Sequence, residues 1–181
     1  MKALVYDNEL KLDKNYPNPI VKDNEVLIQT KMVGICNTDY EITLGYMGYK
    51  GVLGHEFVGV VEGVGKNAPK DLIGKRVVGE INCACNECSW CGHNLGRHCP
   101  NRQTLGIWQK DGCFSEYFTL PWENAIPISD KISDVAATFT EPLVTGVQTC
   151  AFPIYILNLI IRWRLWAMVN WDFVFPWYFL Q

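Results

Sequence analysis

Four cysteines set the terms for this chain. In the segment CNECSWCGHNLGRHC, Cys85, Cys88, Cys91 and Cys99 are spaced C-x2-C-x2-C-x7-C. Thiolates three positions apart can reach one ion from a tight loop, and a later cysteine can close the fourth corner of a tetrahedron. Four thiolates leave no open coordination position. The expectation is therefore a structural zinc that shapes a loop, part of its binding free energy becoming local folding free energy. Three neighbours fit the pattern less well. Cys83 breaks the spacing and reads as a small packed side chain. His93 reads as solvated loop, and His98, directly before Cys99, as surface. An iron–sulfur cluster also uses four cysteines, but a second, dispersed ligand set described below favours zinc.

The chain has eight cysteines, five of them between Cys83 and Cys99. Such crowding suits a disulfide scaffold only in a secreted mini-protein. Here the N-terminus, MKALVYDNEL, turns acidic before any apolar run long enough for a signal peptide. Metal is thus favoured over disulfides, and the cytoplasm is the expected compartment. A formal net charge of -3 without a basic run gives no electrostatic footprint for nucleic acid or anionic lipid. With 181 residues, 49% of them apolar, the chain can bury one core and make one domain or slightly more.

From Met1 to about Ser129 short β-like runs alternate with glycine, proline and asparagine. The runs KALVY, EVLIQTKMVGI, EFVGVVEGVG, KRVVGEI, GCFSEYFTL and NAIPI suit a small, mainly β barrel. The spacing changes at SDVAATF, where Ser133 can cap a short helix with Asp134 in its first turn. That helix leads into Thr140-Glu141-Pro142. After about Thr145 the composition shifts: Trp163, Trp166, Trp171 and Trp177 share one apolar stretch. Arg162, Arg164, Asp172 and Pro176 interrupt it, so it reads poorly as a membrane span of about 20 apolar residues. Residues Gly146 to Ile154, GVQTCAFPI, resemble a peptide translated from sequencing-adapter DNA. The expected organisation is a catalytic-type domain at 1–144 and a non-native or disordered hydrophobic tail at 145–181, an artefact of assembly.

The second ligand set comprises Cys36 in GICNTD, His55 and Glu56 in GVLGHEFVG, and Glu141 in TEPL. A catalytic zinc needs about three protein ligands and one open position, where bound alcohol or water becomes more acidic. Cys36 supplies a thiolate, His55 an imidazole, and Glu56 or Glu141 the third ligand. Taken singly each residue is weak, because a lone cysteine or histidine is usually core. Gly51, Gly54, Gly59, Gly63 and Gly65 let the backbone turn and approach closely beside the metal, or simply belong to a glycine-rich barrel.

In order and flanking residues, GICNTD, GHEFVGVVEGVG, the four-cysteine loop, GCFSEY and TEPL resemble the medium-chain zinc alcohol dehydrogenase family over residues 1 to about 144, in its polyol and threonine dehydrogenase branch. The resemblance implies a GroES-like, partly open β-barrel with short helices and a zinc-binding loop. It also implies two zinc ions, one catalytic and one structural, a small alcohol or polyol substrate, and NAD or NADP in a complete, homo-oligomeric enzyme. Position by position, it matches Cys36 and His55 to catalytic zinc ligands. Glu56 matches the glutamate that binds or waits behind the zinc, and Glu141 the acidic residue of the EPL motif. Thr38 matches the hydroxyl that takes the alcohol proton, and Asp39 a carboxylate that orients the loop or the histidine. Tyr40 and Glu41 depart from members with a relay histidine nearby. Loops around Tyr46, Tyr49 and Trp108 would shape substrate choice.

Family members continue with a doubly wound domain whose G-x-G-x-x-G turn binds the dinucleotide. No such turn follows Glu141, and GVVEGVGKN lacks the helix and acidic partner it would need. The Rossmann domain is expected to be absent, and the chain alone inactive or nearly so, since nothing would hold the hydride acceptor in place. The alternative reading is a stand-alone zinc-binding GroES-like interaction module. A zinc-free quinone-reductase-like relative is disfavoured by Cys36, His55 and the clustered cysteines.

Overall fold

A computed structural model describes residues 1–147. The chain divides into two units, Met1–Glu141 and Pro142–Gln181, and all candidate site residues lie in the first. Of the tail expected at 145–181, residues 145–147 are helical; the rest of that expectation falls outside the described residues. Among the described residues no helix is long and apolar enough to cross a membrane.

The first unit is mainly β, as its runs of β-branched and aromatic residues require. Strand β1 (Ala3–Tyr6) pairs with β2 (Leu10–Asp13) and with β4 (Gly51–Val52). The largest sheet has five antiparallel strands in the order β10-β3-β5-β6-β11. These are β3 (Glu25–Gly34), β5 (Glu56–Val64), β6 (Arg76–Gly79), β10 (Tyr117–Pro121) and β11 (Ala125–Pro127). A third, small sheet joins β7 (Asn82–Cys83), β8 (Gln103–Leu105) and β9 (Gln109–Lys110).

Each of the six expected strands is present. One was too long: GCFSEYFTL makes a ladder only from Tyr117, because the residues before it cross to the first sheet. Leu4 N donates to Phe114 O at 2.7 Å, and Thr30 N donates to Glu116 O at 3.1 Å. This segment thereby stitches two sheets into the partly open barrel.

The alternating faces of β3, β5, β6 and β10 supply the core, where Val26, Ile28, Phe57, Val61, Val77, Phe118 and Leu120 are buried together. The Phe57 and Phe118 rings meet edge to face at 4.7 Å, the geometry their quadrupoles favour. One ion pair is buried with this core: Lys110 Nζ lies 2.8 Å from Glu25 Oε1, each side chain about one-tenth exposed. Among the described residues the helices are short. Helix α1 (Asn37–Thr43) follows β3, α2 (Ser89–Gly92) lies in the cysteine loop, and α3 (Asp134–Thr138) closes the unit. As expected, Ser133 caps α3, its Oγ accepting from Ala136 N at 3.2 Å.

Two long strands position the candidate site. The β3–β5 ladder runs from Val26↔Val64 to Gly34↔Glu56, with register shifts between Leu27/Ile28 and Thr30/Met32. Such irregularities bend and twist a strand. The last rung sets Glu56 opposite Gly34, two residues before Cys36. Immediately before His55 the chain passes Gly54, whose φ of 94° lies in the left-handed region. A Cβ on Gly54 would collide with the Phe114 ring, so only glycine fits this approach.

Candidate metal centres

The four clustered cysteines converge. Cys99 Sγ lies 3.4 Å from Cys85 Sγ, Cys88 Sγ 3.5 Å from Cys91 and 3.8 Å from Cys99, and Cys85 3.9 Å from Cys91. A zinc–sulfur distance of about 2.3 Å gives a tetrahedron of sulfurs with edges of about 3.8 Å. The four thiols therefore already have the spacing of a zinc–thiolate tetrahedron, and none is in a disulfide. Local backbone explains how. Asn86 and Asn94 both have φ of 59°, a left-handed conformation that asparagine tolerates better than most residues. The turn at Asn86 directs the backbone N–H groups of Glu87 and then Cys88 at the Cys85 sulfur, which with the Cys99 thiol lowers the Cys85 pKa to about 6. Backbone donors thus prepare a thiolate, the form that binds metal.

The flanking residues behave as their spacing suggested. Cys83 is buried, its thiol donating to Ile81 O at 3.6 Å. His93 and His98 are exposed.

The second group is Cys36, His55 and Glu56, whose ligand atoms all lie within 4.8 Å of one another. They come from three settings: the residue capping α1, the loop before β5, and the first residue of β5. Sheet pairing brings them together, not sequence spacing. Asp39 then ties the group. This buried carboxylate accepts from Cys36 N at 2.9 Å through Oδ2 and from Gly54 N at 3.2 Å through Oδ1. Its Oδ1 also lies 3.3 Å from His55 Nδ1, with both side chains under 5% exposed. That contact is off the line of a hydrogen bond, and His55 Nδ1 has no hydrogen-bond partner. Asp39 was expected to orient the loop or the histidine, and its hydrogen bonds are to the loop backbone, at Cys36 N and Gly54 N.

The local field calls for a cation. Burial alone opposes charge on His55, but the Asp39 carboxylate and the Cys36 thiol outweigh it and push the imidazole pKa up to about 10. Burial also raises the Glu56 carboxyl above its ordinary value, and the charge of Glu141 adds to that effect. Two carboxylates and a thiol around one imidazole favour a proton there, or a metal ion in its place. Thiolate, imidazole and carboxylate together are donors that zinc accepts. With Nδ1 facing Asp39, Nε2 is the ring nitrogen left for a ligand role.

Other expected residues are placed as follows. The Cys36 thiol donates to Thr38 Oγ1 at 3.5 Å, so the threonine hydroxyl borders the group. Glu141 is outside the set within 4.8 Å, although its charge reaches Glu56. Tyr49, expected to shape a substrate loop, is buried. Its hydroxyl lies 2.9 Å from Val52 O and 3.0 Å from Lys110 O and braces the backbone. Tyr46 and Trp108 are exposed. Sequence reasoning overlooked Gly34, which faces Glu56 across the ladder, and Cys113, whose buried thiol donates to Glu56 O at 3.7 Å. The available signal was the pair of strand-like runs flanking GIC and GHE, whose pairing would have brought Gly34 opposite Glu56.

Comparison with known proteins agrees with this architecture. The L-threonine 3-dehydrogenase of Protochlamydia amoebophila is 38% identical over 149 residues, covering 75% of this chain and 42% of the relative. The crystal structure of a short chain alcohol dehydrogenase from E. coli CFT073, complexed with NADH, superposes with a TM-score of 0.73 at 32% identity. That match covers 81% of this chain and 44% of the other. A zinc-binding dehydrogenase from Sinorhizobium meliloti 1021 bound to NADP gives a TM-score of 0.71 at 29% identity, covering 82% and 45%. This chain spans less than half the length of each of these proteins. Residues 22–130, which hold the β3–β5 ladder, Cys36, His55, Glu56 and the whole cysteine loop, match the alcohol dehydrogenase GroES-like domain, and the chain belongs to that family.

Proposed function

We propose that this domain is the metal- and alcohol-binding part of a nicotinamide-dependent zinc dehydrogenase, which oxidises a small alcohol or polyol to a ketone or aldehyde and passes hydride to NAD or NADP. The observation that carries this reading is the convergence of the Cys36, His55 and Glu56 ligand atoms to within 4.8 Å of one another, apart from the four-thiol loop. In this reading Cys36, His55 and Glu56 hold the catalytic zinc, with Glu141 the acidic neighbour able to approach it, and Cys85, Cys88, Cys91 and Cys99 hold the structural one. Bound zinc supplies Lewis acidity that lowers the pKa of an alcohol hydroxyl.

The chain's own residues then have separable tasks. Thr38 Oγ1, beside Cys36 Sγ, takes the alcohol proton and releases its own, since a hydroxyl both accepts and donates. Asp39 ties the backbone of Cys36 to that of Gly54, the residue before His55, and its carboxylate faces the imidazole at 3.3 Å. The Phe114 ring packs against Gly54, the residue before His55, and the imidazole itself is buried. A separate nicotinamide-binding domain of the complete polypeptide holds the hydride acceptor, and without it the domain turns over little or no substrate. L-Threonine heads the candidate substrates, because the relative from Protochlamydia amoebophila is an L-threonine 3-dehydrogenase.

The test has two parts. Metal analysis of freshly purified, untagged chain is expected to give two zinc ions per chain, falling to one in Cys36→Ser. A wild-type chain that loads fewer than two refutes the site. A complete polypeptide carrying this domain and a nicotinamide-binding domain is then assayed with L-threonine and a panel of small alcohols. Failure to reduce either NAD or NADP with any of them, at full zinc loading, refutes the activity.

A further inference from the structure

We infer that Gly34 is a positioning residue for the second metal centre: the side chain it lacks is the space through which the Glu56 carboxylate crosses from β5 to join Cys36 and His55. The inference rests on the proposed reading of Cys36, His55 and Glu56 as a metal site. Gly34 and Glu56 are partners on the last rung of the β3–β5 ladder. Directly opposed residues in an antiparallel pair normally keep their Cβ atoms about 4.5–5.5 Å apart, with side chains standing up from the sheet. Here the Glu56 side chain leans across its partner. A Cβ placed on Gly34 would collide with Glu56 Oε2, stand 3.1 Å from Glu56 Cβ and lie 3.3 Å from Glu56 Cδ. The carboxylate occupies the volume that any other residue at position 34 would fill.

The usual reason for a glycine does not apply. Gly34 is not among the glycines with positive φ, so its backbone conformation is open to every residue. Space, not backbone angle, favours glycine at this position, since the Glu56 carboxylate would have to move to admit a Cβ. The direction of the crossing also matters: Cys36 lies two residues beyond Gly34, so a carboxylate lying over residue 34 is held beside the thiol. With Glu56 8% exposed, there is little room for it to swing elsewhere and keep its contacts. An alanine at 34 therefore displaces the third ligand while leaving the strand intact.

The experiment is a zinc and cobalt titration of the 181-residue chain as wild type, Gly34→Ala, Glu56→Ala and the double variant. Cobalt absorbance reports the four-thiol centre separately from the mixed-ligand centre, and circular dichroism and thermal melting report the fold. Gly34→Ala is expected to keep the four-thiol spectrum and the wild-type circular dichroism, with a cooperative melt. Its affinity for the second ion should fall by about 10–100-fold, as when a metal ligand loses its support. In the Glu56→Ala background the same change should have no further effect on affinity, because the atom it displaces is gone. Unchanged second-ion affinity in Gly34→Ala, or an equal loss in both backgrounds, overturns the role of Gly34. A wild-type chain that binds only one ion overturns the reading of the site itself, and is distinguishable because it appears before any substitution is made.

Discussion

Replacing Asp39 gives the sharpest test of how this site is held. Its carboxylate is 4% exposed and accepts two backbone N–H groups, a buried one from Gly54 and a partly buried one from Cys36, while facing the His55 ring. Asp39→Ala strands both amides. Each buried donor left without an acceptor costs about 1–3 kcal/mol, so the total is about 2–6 kcal/mol, comparable to the whole stability of many domains. Asp39→Asn is more informative. The amide keeps the shape and one acceptor oxygen, so one of the two N–H groups loses its partner, at about 1–3 kcal/mol. The bond from Cys36 N to Asp39 also closes the first turn of α1, so the weakened site and a frayed helix start should appear together.

The expected outcome for Asp39→Asn is a lower urea midpoint, with an unchanged slope, in the metal-loaded chain. It is also a loss of about 10–100-fold in affinity for the second zinc, with the four-thiol centre unaffected. Metal affinity is read by competition with a chromophoric chelator. If Asp39→Asn binds the second ion as tightly as wild type, the carboxylate does not position the ligands and the argument from these hydrogen bonds is wrong.

Three further outcomes follow from other contacts. Burial alone would raise the Glu25 carboxyl pKa, but Lys110 more than compensates, leaving it below its ordinary value of 4.5. A depressed folded pKa gives stability that is present above the unfolded value and fades as pH falls through the folded one. Stability of the wild type should therefore decline below about pH 4.5. Glu25→Gln should shallow that limb and, by leaving the Lys110 ammonium buried without its partner, cost about 3–5 kcal/mol at pH 7; equal acid limbs in the two proteins, by denaturation across pH, would contradict this. Gly54→Ala combines a φ of 94° with a collision against Phe114 and should cost about 2–6 kcal/mol. A loss below about 1 kcal/mol would mean the loop relaxes freely. Cys99→Ser should release one of two zinc ions and expose the loop around Cys85 to proteolysis, while Cys36→Ser releases the other ion without that cleavage; matching cleavage patterns would show that the centres are not independent.

The two centres differ in how far they could be read from the chain, and the difference is physical. Cys85, Cys88, Cys91 and Cys99 lie within one loop, so their spacing alone reports that they can share an ion. The long strands were legible too, because β3, β5 and β10 are runs rich in β-branched and aromatic residues, and β10 alternates buried with half-buried positions. Helix α1 was not. Its seven residues carry one fully buried apolar side chain, Ile42, and owe their start to the hydrogen bond from Cys36 N to Asp39. No helical periodicity can announce so short an element. Strand β2 escaped for a related reason, since Leu10 and Leu12 are exposed and mark no buried face. Strands β4, β7 and β9, two residues each, carry too little pattern to read.

The second centre was legible only as separate residues, because its geometry exists in the sheet and not in the chain. Cys36 and Glu56 are twenty positions apart in sequence, and the rung pairing Gly34 with Glu56 brings their elements together. The bulges that bend β3 and β5 determine which residue meets which. A shift of one residue in that register would place Phe57 or His55 opposite Gly34 and turn Glu56 away from the thiol. The proposed metal site is thus a readout of strand register. Correct pairing of two long strands creates the pocket, and the crowding at Gly34 and Gly54 penalises the alternatives. By contrast, the four thiols of the loop are near neighbours in sequence, with turns at Asn86 and Asn94 between them. A cation shared by Cys36, His55 and Glu56 therefore depends on the β3–β5 register, and one shared by the four thiols does not.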